Sequence, residues 1–300
     1  MMMTATGDAV LTPARAALEQ ACRKVGLDAS GAMLLRDFAS TVYLLPAEDV
    51  VVRLAEAGVP GRLERLTTSV RVTRWLVAHD FPAVRPLDVT QPVAAEGYLA
   101  TFWHHERDAE EVSSGLRALG LLLRRLHDMP QVPFDLPVYD PFGPVRRAID
   151  VSRVLSADDR AWLLDRCAEL EEIYYEQVEF SLTYGLIHGD AHRGNLVRAG
   201  GRLVLCDWDS VSAGPRELDL IPTMGGARFG IPDRERAEFC EGYGYDVTGW
   251  RYYPVLRDMR ELRTLTTALR TGHRDPKARE ELGYRLASLR AGDGRRWHPF

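Results

Sequence analysis

The chain has 300 residues, of which 46% are apolar and 27% charged, and its formal net charge is −5 at pH 7. This composition excludes wholesale disorder, and an acidic balance without a long basic run argues against nucleic acid as a partner. No apolar run approaches the roughly 20 residues that span a bilayer, and no basic segment followed by an apolar core opens the chain. The four cysteines are scattered and form no CxxC pair. We therefore expect a cytoplasmic protein with no membrane or nucleic-acid partner, and the sequence does not predict its oligomeric state.

The first hundred residues combine strand and helix patterns. Thr12 followed by Pro13 is typical of a helix start, and three short strand-like runs with turn residues between them come next. Residues 61–79 have a helical apolar face, and residues 98–103 read as a strong strand. These patterns predict a small antiparallel sheet with a helix packed on it.

Arg53 ends an apolar strand-like run, VVVR, within this region. A basic side chain at that position either reaches the phosphates of a nucleotide or leaves the sheet edge for solvent. The spacing alone does not decide between these alternatives.

From residue 104 onward the chain is mainly helical in pattern, including a long predicted helix over residues 250–272. Between Asp233 and Phe300 there are 14 Lys and Arg against 11 Asp and Glu, a net charge of +3. The C-terminal helices are thus basic although the whole chain is acidic.

The polar residues with the clearest pattern lie in residues 186–209, LIHGDAHRGNLVRAGGRLVLCDWD. Asp190 and Asn195 follow one short apolar run, and Asp207 ends a second one. Phosphoryl transfer needs a carboxylate that takes a proton from the acceptor hydroxyl and oxygen ligands that hold Mg²⁺ on the nucleotide. We therefore predict Asp190 as the catalytic base and Asn195 and Asp207 as metal ligands. A surface turn rich in Gly, Asp and Asn would not explain the flanking apolar runs.

Neighbouring residues fit roles in supporting this loop. Gly189 permits a tight backbone turn, His188 is expected to brace the loop through backbone hydrogen bonds, and Asp219 is expected to accept loop N–H groups from the first turn of a helix. A rival interpretation uses His188, Asp190 and His192 as an H-x-D-x-H metal site of a metallohydrolase. Such a site needs further ligands, and no other His is well placed to supply them.

Because Asp209 lies close to Asp207, the sequence leaves open which of the two carboxylates after the second apolar run binds the metal. Alternation along an extended segment would place Asp207 and Asp209 on one side and Trp208 on the other. Either Asp209 also contacts the metal, or it only lies beside Asp207.

The succession I-H-G-D-x-x-x-x-N, L-x-D-W and G-P-x-x-x-D-L resembles the aminoglycoside phosphotransferase family, also called the phosphotransferase enzyme family, within the protein-kinase-like fold. The resemblance implies an α+β fold of two lobes. Residues 1–103 would form a nucleotide-binding lobe with a small antiparallel sheet. Residues 104–300 would form a larger, mainly helical lobe with the catalytic loop and the acceptor site.

The resemblance also implies the reaction: transfer of the γ-phosphoryl group of ATP or GTP, with Mg²⁺, to a hydroxyl of a small molecule. It gives Asp190, Asn195 and Asp207 the same roles as above. Arg53 falls at the strand position that contacts the nucleotide phosphates. Three residues fall at the hinge, where backbone groups would meet the adenine: Thr101, Phe102 and Trp103.

Two departures from the family pattern keep a catalytically weak nucleotide-binding or regulatory protein as an alternative. Ala39, Ser40 and Thr41 stand where a glycine-rich loop is expected. No acidic partner for Arg53 is evident, because Glu64 is the only acid in residues 61–78 and lies early in that helix.

The acceptor is not identified by these motifs, and an aminoglycoside, another antibiotic and a metabolite all stay open. An aminoglycoside is a polycation and needs an acidic pocket, whereas the helix predicted over residues 250–272 carries Arg257, Arg260, Arg263 and Arg270. If these side chains face the acceptor, we expect a neutral or anionic acceptor. A solvated helix face is the alternative, and Asp258 and Glu261 on the same helix would work against an anion.

Overall fold

The computed structural model describes residues 12–37, 40–106, 110–111, 115–199 and 201–300. It divides into two compact units. The first unit takes in the described residues before 110 together with Ala199–Asp209, and the second consists of Glu110–Arg198 and Ser210–Phe300. In the described part of the chain, no helix has the length and apolar character needed to cross a membrane.

The helices are, in chain order, α1 Pro13–Val25, α2 Arg62–Ala78, α3 Leu116–His127, α4 Gly143–Val151, α5 Ala157–Glu176, α6 Glu217–Met224, α7 Asp233–Tyr243, α8 Tyr253–Arg263, α9 Thr266–Thr271 and α10 Pro276–Ala291. The strands are β1 Met33–Asp37, β2 Thr41–Leu45, β3 Val50–Glu56, β4 Val93–Ala95, β5 Tyr98–His104, β6 Glu110–Glu111, β7 Tyr184–Ile187, β8 Leu196–Ala199, β9 Arg202–Leu205 and β10 Ser212–Pro215.

The first unit is built on a five-stranded antiparallel sheet in the order β1-β2-β3-β5-β4. Successive side chains of β3 point to opposite faces. Val50, Val52 and Leu54 are therefore buried in a core that includes Leu18 of α1. Arg53 points to the other face, and it pairs in register with Thr101 of β5.

In the second unit, β7 and β10 form a two-stranded antiparallel ribbon. The chain passes from β7 into residues 188–195, and from β10 into α6. Helices α3 and α7 pack unusually closely, because Gly120 and Gly242 meet the backbone of the facing helix. A Cβ atom added to Gly242 would lie 2.0 Å from the carbonyl oxygen of Arg117.

The predicted α+β fold, with a small antiparallel sheet lobe and a mainly helical lobe, is confirmed. The residue limits and roles assigned to the lobes stay predictions.

The single helix predicted over residues 250–272 is wrong, since α8 ends at Arg263 and α9 begins at Thr266. The hydroxyl of Thr264 donates to the carbonyl of Glu261 at 2.7 Å, and that of Thr266 donates to the carbonyl of Arg263 at 2.9 Å. Such side-chain bonds to nearby carbonyls compete with regular helix hydrogen bonding. The break leaves the basic residues of α8 on a short, separate helix.

Substitution of Gly242 by Ala tests the close packing of α3 and α7. We expect the free energy of unfolding to fall by about 2 kcal/mol, because the added methyl group has no room. Gly283 is the matched control, since it lies exposed on α10 with no atom within 4 Å of an added Cβ. Gly283→Ala should raise the stability by about 0.5–1 kcal/mol. Equal effects of the two substitutions in urea unfolding would contradict the packing described.

Candidate active site

A buried carboxylate holds the loop that follows β7. Asp219, in the first turn of α6, is fully buried. Its two oxygens accept hydrogen bonds from the backbone N–H groups of His188, at 2.8 Å, and Gly189, at 2.7 Å. A buried charge without such donors would cost several kcal/mol, so the backbone of the loop is tied to the start of α6.

His127, at the end of α3, completes the surroundings of Asp219. Its Nε2 lies 3.1 Å from Asp219 Oδ2, and its Nδ1 lies 2.8 Å from the hydroxyl of Tyr243. All three side chains are buried. The sequence does not single out His127, whose one distinguishing feature is that it is a polar residue at the end of a leucine-rich helical face.

Gly189 adopts a conformation that other residues rarely take. Its φ is 78°, and a Cβ atom added there would lie 2.3 Å from the carbonyl oxygen of Ser210. A side chain at this position would therefore be strained both by the backbone angle and by the neighbouring carbonyl. The chain turns at Gly189 and places Asp190 next along the loop.

Basic groups surround the carboxylate of Asp190 within the second unit. Asp190 Oδ1 is shielded from solvent and lies 2.7 Å from an Arg260 guanidinium nitrogen, and Oδ2 lies 3.9 Å from His192 Nε2. Burial alone would raise the pKa of Asp190, but the charges of Arg260, His192 and Arg263 outweigh it and hold this pKa below its ordinary value. The carboxylate is thus ionised at neutral pH, as a proton acceptor must be.

Asn195 lies in a 3₁₀ turn, Arg193–Asn195, and its side chain is buried. The side-chain nitrogen donates to the carbonyl oxygen of Asp190 at 3.0 Å. This bond directs the amide so that Oδ1 is the atom left for a ligand. The second unit therefore brings Asn195 and Asp190 together.

The first unit holds Arg53 and the two carboxylates that follow β9. An Arg53 guanidinium nitrogen lies 2.6 Å from Asp209 Oδ1 and 3.3 Å from Asp207 Oδ1. Burial of Arg53 would lower its pKa, but the charges of Asp209 and Asp207 outweigh this effect and raise it. Glu64 is exposed on α2, so the acidic partners of Arg53 come from the segment after β9.

The extended conformation expected for residues 207–209 is wrong. Asp207 has a φ of 60°, and Trp208–Ser210 form a 3₁₀ turn. Trp208 is buried edge-on against Phe81, with ring centroids 5.9 Å apart. The burial of this indole fixes the turn, and both carboxylates still contact one guanidinium.

Residues 39–41, which stand where a glycine-rich loop is expected, are described only in part. Ala39 lies outside the described residues, and Ser40 and Thr41 are buried. The hydroxyl of Ser40 accepts a hydrogen bond from Arg53 Nε at 3.0 Å. Ser40 thus helps to orient Arg53.

The predicted hinge residues lie on β5. Thr101 and Phe102 are buried and Trp103 is half-buried. The N–H of Phe102 donates to Gln91 Oε1 at 2.7 Å, and its carbonyl accepts from Leu87 N–H at 2.9 Å. These bonds already satisfy the backbone of Phe102 within the unit, and the nucleotide contacts of all three residues stay predictions.

The two predicted metal ligands are oxygen donors of the kind that suits magnesium better than zinc, and their binding of a metal stays a prediction. Asn195 Oδ1 and the Asp207 carboxylate are the oxygen ligands that Mg²⁺ prefers. Among the residues that the structure describes, no group of three or more His, Cys, Asp and Glu is close enough to hold a metal ion. His188 Nδ1 and His192 Nδ1 accept hydrogen bonds from the backbone N–H groups of Asp190 and Gly194. The described residues thus give the metallohydrolase interpretation no ligand set.

The sequence matches the model of the phosphotransferase enzyme family over residues 34–265. The chain therefore belongs to this family of phosphotransferases, and the resemblance inferred from the motifs is confirmed. No curated protein matches the chain.

Solved structures with the same fold include three small-molecule phosphotransferases. Amicoumacin kinase hAmiN has a TM-score of 0.71 at 14% identity, over 90% of this chain and 91% of that chain. A microcompartment-associated aminopropanol kinase has a TM-score of 0.66 at 17% identity, over 93% and 98%. Spectinomycin phosphotransferase APH(9)-Ia has a TM-score of 0.62 at 18% identity, over 91% and 93%. At these identities the likeness shows the kinase-like fold alone.

Removing the Asp219 carboxylate tests whether it stabilises the loop. We expect Asp219→Ala to lower the free energy of unfolding by roughly 3 kcal/mol, because buried donors of the loop and of His127 lose their acceptor. Asp275→Ala is the control, since Asp275 only caps α10 and its loss should cost about 1 kcal/mol. Urea unfolding with a smaller loss for Asp219→Ala than for Asp275→Ala would refute this role.

The pKa of Asp190 should depend on Arg260. In Arg260→Met the burial of Asp190 is no longer offset by the nearest positive charge, so its pKa should rise. Carboxyl ¹³C NMR titration would measure the shift, with Asp190→Asn used to assign the signal. Arg153 is exposed, and Arg153→Met should leave the titration unchanged. An unchanged Asp190 titration in Arg260→Met would show that the ion pair has no influence.

Proposed function

We propose that this chain transfers the γ-phosphoryl group of ATP or GTP to a hydroxyl of a small molecule, with Mg²⁺ and with Asp190 as the catalytic base. The observation that carries this proposal is the Asp190 carboxylate, kept ionised by Arg260 and His192 on a loop that Asp219 holds in place. Family membership supports the reaction class.

The neighbouring structures support a nucleotide donor and a small acceptor. Amicoumacin kinase was solved with AMP-PNP, Ca²⁺ and the molecule named Ami, and the spectinomycin phosphotransferase was solved with ADP and spectinomycin. A third neighbour is named for aminopropanol. These names support the general pairing of a nucleotide with a small molecule.

In the proposed reaction, Asp190 takes the proton of the acceptor hydroxyl as that oxygen bonds to the γ-phosphorus. The bond from the γ-phosphorus to the bridging β–γ oxygen breaks, and the nucleoside diphosphate leaves. When bound, Mg²⁺ would neutralise charge on the phosphate oxygens, and Asn195 Oδ1 and the Asp207 carboxylate would hold it. The low pKa of Asp190 makes it a weak base, but positioning and charge stabilisation dominate in phosphoryl transfer.

Arg53 is proposed to contact the α- and β-phosphates of the nucleotide. Its contact with Asp209 is shorter than that with Asp207, at 2.6 Å against 3.3 Å. Asp209 therefore keeps Arg53 paired when Asp207 serves as a metal ligand. This arrangement gives Arg53 acidic partners and so weakens one of the two reasons for a catalytically weak protein, whereas the departure from a glycine-rich loop is unaffected.

Replacement of Asp190 by Asn tests the assignment of the base. We expect the rate of label transfer from γ-³²P-labelled ATP to acceptor to fall by roughly 10²–10⁴-fold. The dissociation constant for Mg·ATP, measured by calorimetry, should change little, because Asp190 is not assigned to the nucleotide or the metal. Asp165→Asn, at an exposed site on α5, is the matched control and should retain full activity. Undiminished transfer by Asp190→Asn would rule out Asp190 as the base.

A further inference from the structure

A cleft in the second unit is lined by Arg260 and His192, the two residues whose side chains contact the carboxylate of Asp190. It has about 270 Å³ of space, and its wall includes His192 and Arg193 from the loop and Arg257, Arg260 and Glu261 from α8. Arg260 and His192 are the groups that lie next to Asp190. If Asp190 is the base, as proposed above, a molecule in this cleft lies where an acceptor hydroxyl can reach it. The inference that follows rests on that proposed function.

The one acidic residue among the described residues in the wall of this cleft is already bound to an arginine. Glu261, the acid in its wall, is buried and contacts Arg228 at 2.5 Å. A neighbouring cavity of about 240 Å³ shares Arg257 and Glu261 with the cleft, and its further acid, Asp293, is bound to Arg295 at 2.8 Å. A cationic acceptor would therefore find only occupied carboxylates.

Unlike the carboxylate of Glu261, the guanidinium of Arg257 has hydrogen-bond donors left for a molecule in the cleft. It lines both the cleft and the neighbouring cavity, and 42% of its side chain is exposed. It donates to Asp258 Oδ1 through Nε and one further nitrogen, at 3.0 and 2.8 Å. A guanidinium has five N–H groups, so the remaining donors of Arg257 can bind an anion.

The charge balance near Asp190 also favours an anion. Arg260 is paired with Asp190, and Arg263 donates to the hydroxyls of Tyr139 and Ser210, both at 3.3 Å. Among the described residues, no carboxylate lies within 4.0 Å of Arg263. Two arginines thus face one carboxylate, which leaves a net positive charge beside the cleft.

We propose that the acceptor carries an oxyanion, a carboxylate or a phosphate, in addition to the hydroxyl that is phosphorylated. Arg257 binds this oxyanion, and Arg260 and Arg263 contribute the positive field. The hydroxyl then lies toward Asp190. Specificity follows from the pairing of every acid in the cleft wall, which disfavours an amine at the same position.

Four acceptors that share a six-carbon polyol frame test this inference: gluconate, sorbitol 6-phosphate, sorbitol and glucamine. With Mg·ATP we expect kcat/KM to be at least about tenfold higher for an anionic acceptor than for sorbitol, as one charge-assisted hydrogen bond supplies about that factor. Glucamine should be the poorest acceptor. Gluconate and sorbitol 6-phosphate distinguish a carboxylate from a phosphate as the preferred group.

Variants at Arg257 show whether this residue binds the oxyanion. Arg257→Gln should raise KM for the anionic acceptor by roughly 10–100-fold, with kcat, KM for ATP and the kinetics with sorbitol unchanged. Arg257→Lys should recover part of the loss, because it restores the charge. Arg153→Gln removes the same charge at an exposed site and should have no effect.

The results separate this inference from the proposed function. Transfer to glucamine or sorbitol in preference to both anions, or an unchanged KM in Arg257→Gln, would overturn the inference and leave the phosphotransferase proposal standing. Calorimetric binding of an anion that depends on Arg257, without label transfer to any acceptor, would support Arg257 as an anion-binding residue and would contradict the proposed function. Failure of both anions to bind or react would overturn the inference.

Discussion

The geometry of the candidate site depends on one buried carboxylate. Asp219 is fully enclosed, and its charge is compatible with burial only because backbone N–H groups and an imidazole supply hydrogen bonds. The donors from His188 and Gly189 determine the path of the chain just before Asp190. The position of the proposed base is thus a consequence of satisfying the buried charge of Asp219.

A second electrostatic interaction, the ion pair with Arg260, lowers the pKa of Asp190 itself. Arg260 keeps the carboxylate ionised and at the same time reduces its basicity. For a loose phosphoryl-transfer transition state this compromise is favourable, because little proton transfer is needed before the phosphorus–oxygen bond to the leaving group weakens. Arg260 also lines the cleft proposed for the acceptor. In the proposed reaction, Arg260 would therefore affect both the protonation state of Asp190 and the charge of the acceptor that the cleft favours.

The features that could be predicted from the sequence are those that depend on local patterns of residues. The motif around Asp190 and Asn195, the sheet of the first unit and the family all followed from residues close together in the chain. Contacts between distant residues that no motif links could not be predicted: Arg260 contacts Asp190 across 70 positions, and His127 contacts Asp219 across 92. Periodicity reports which face of a helix is apolar, but not which loop its polar face meets.

Local backbone conformations that depart from the common patterns could not be predicted from the sequence either. A positive φ at Asp207, which is rare outside glycine, cannot be inferred from alternating residues. The break between α8 and α9 depends on two threonine hydroxyls that favour bonds to nearby carbonyls. Both features alter how charged groups are presented, although neither changes the fold.

We propose that this chain is a magnesium-dependent phosphotransferase in which Asn195 and Asp207 bind the metal ion and Asp190 is the catalytic base. The most direct test is a crystal structure of the full chain with Mg²⁺ and AMP-PNP. We predict Mg²⁺ bound to the side-chain oxygens of Asn195 and Asp207, with Asp190 outside the coordination sphere. A metal ion bound instead by His188, Asp190 and His192, or a nucleotide bound without either predicted ligand, would contradict the account.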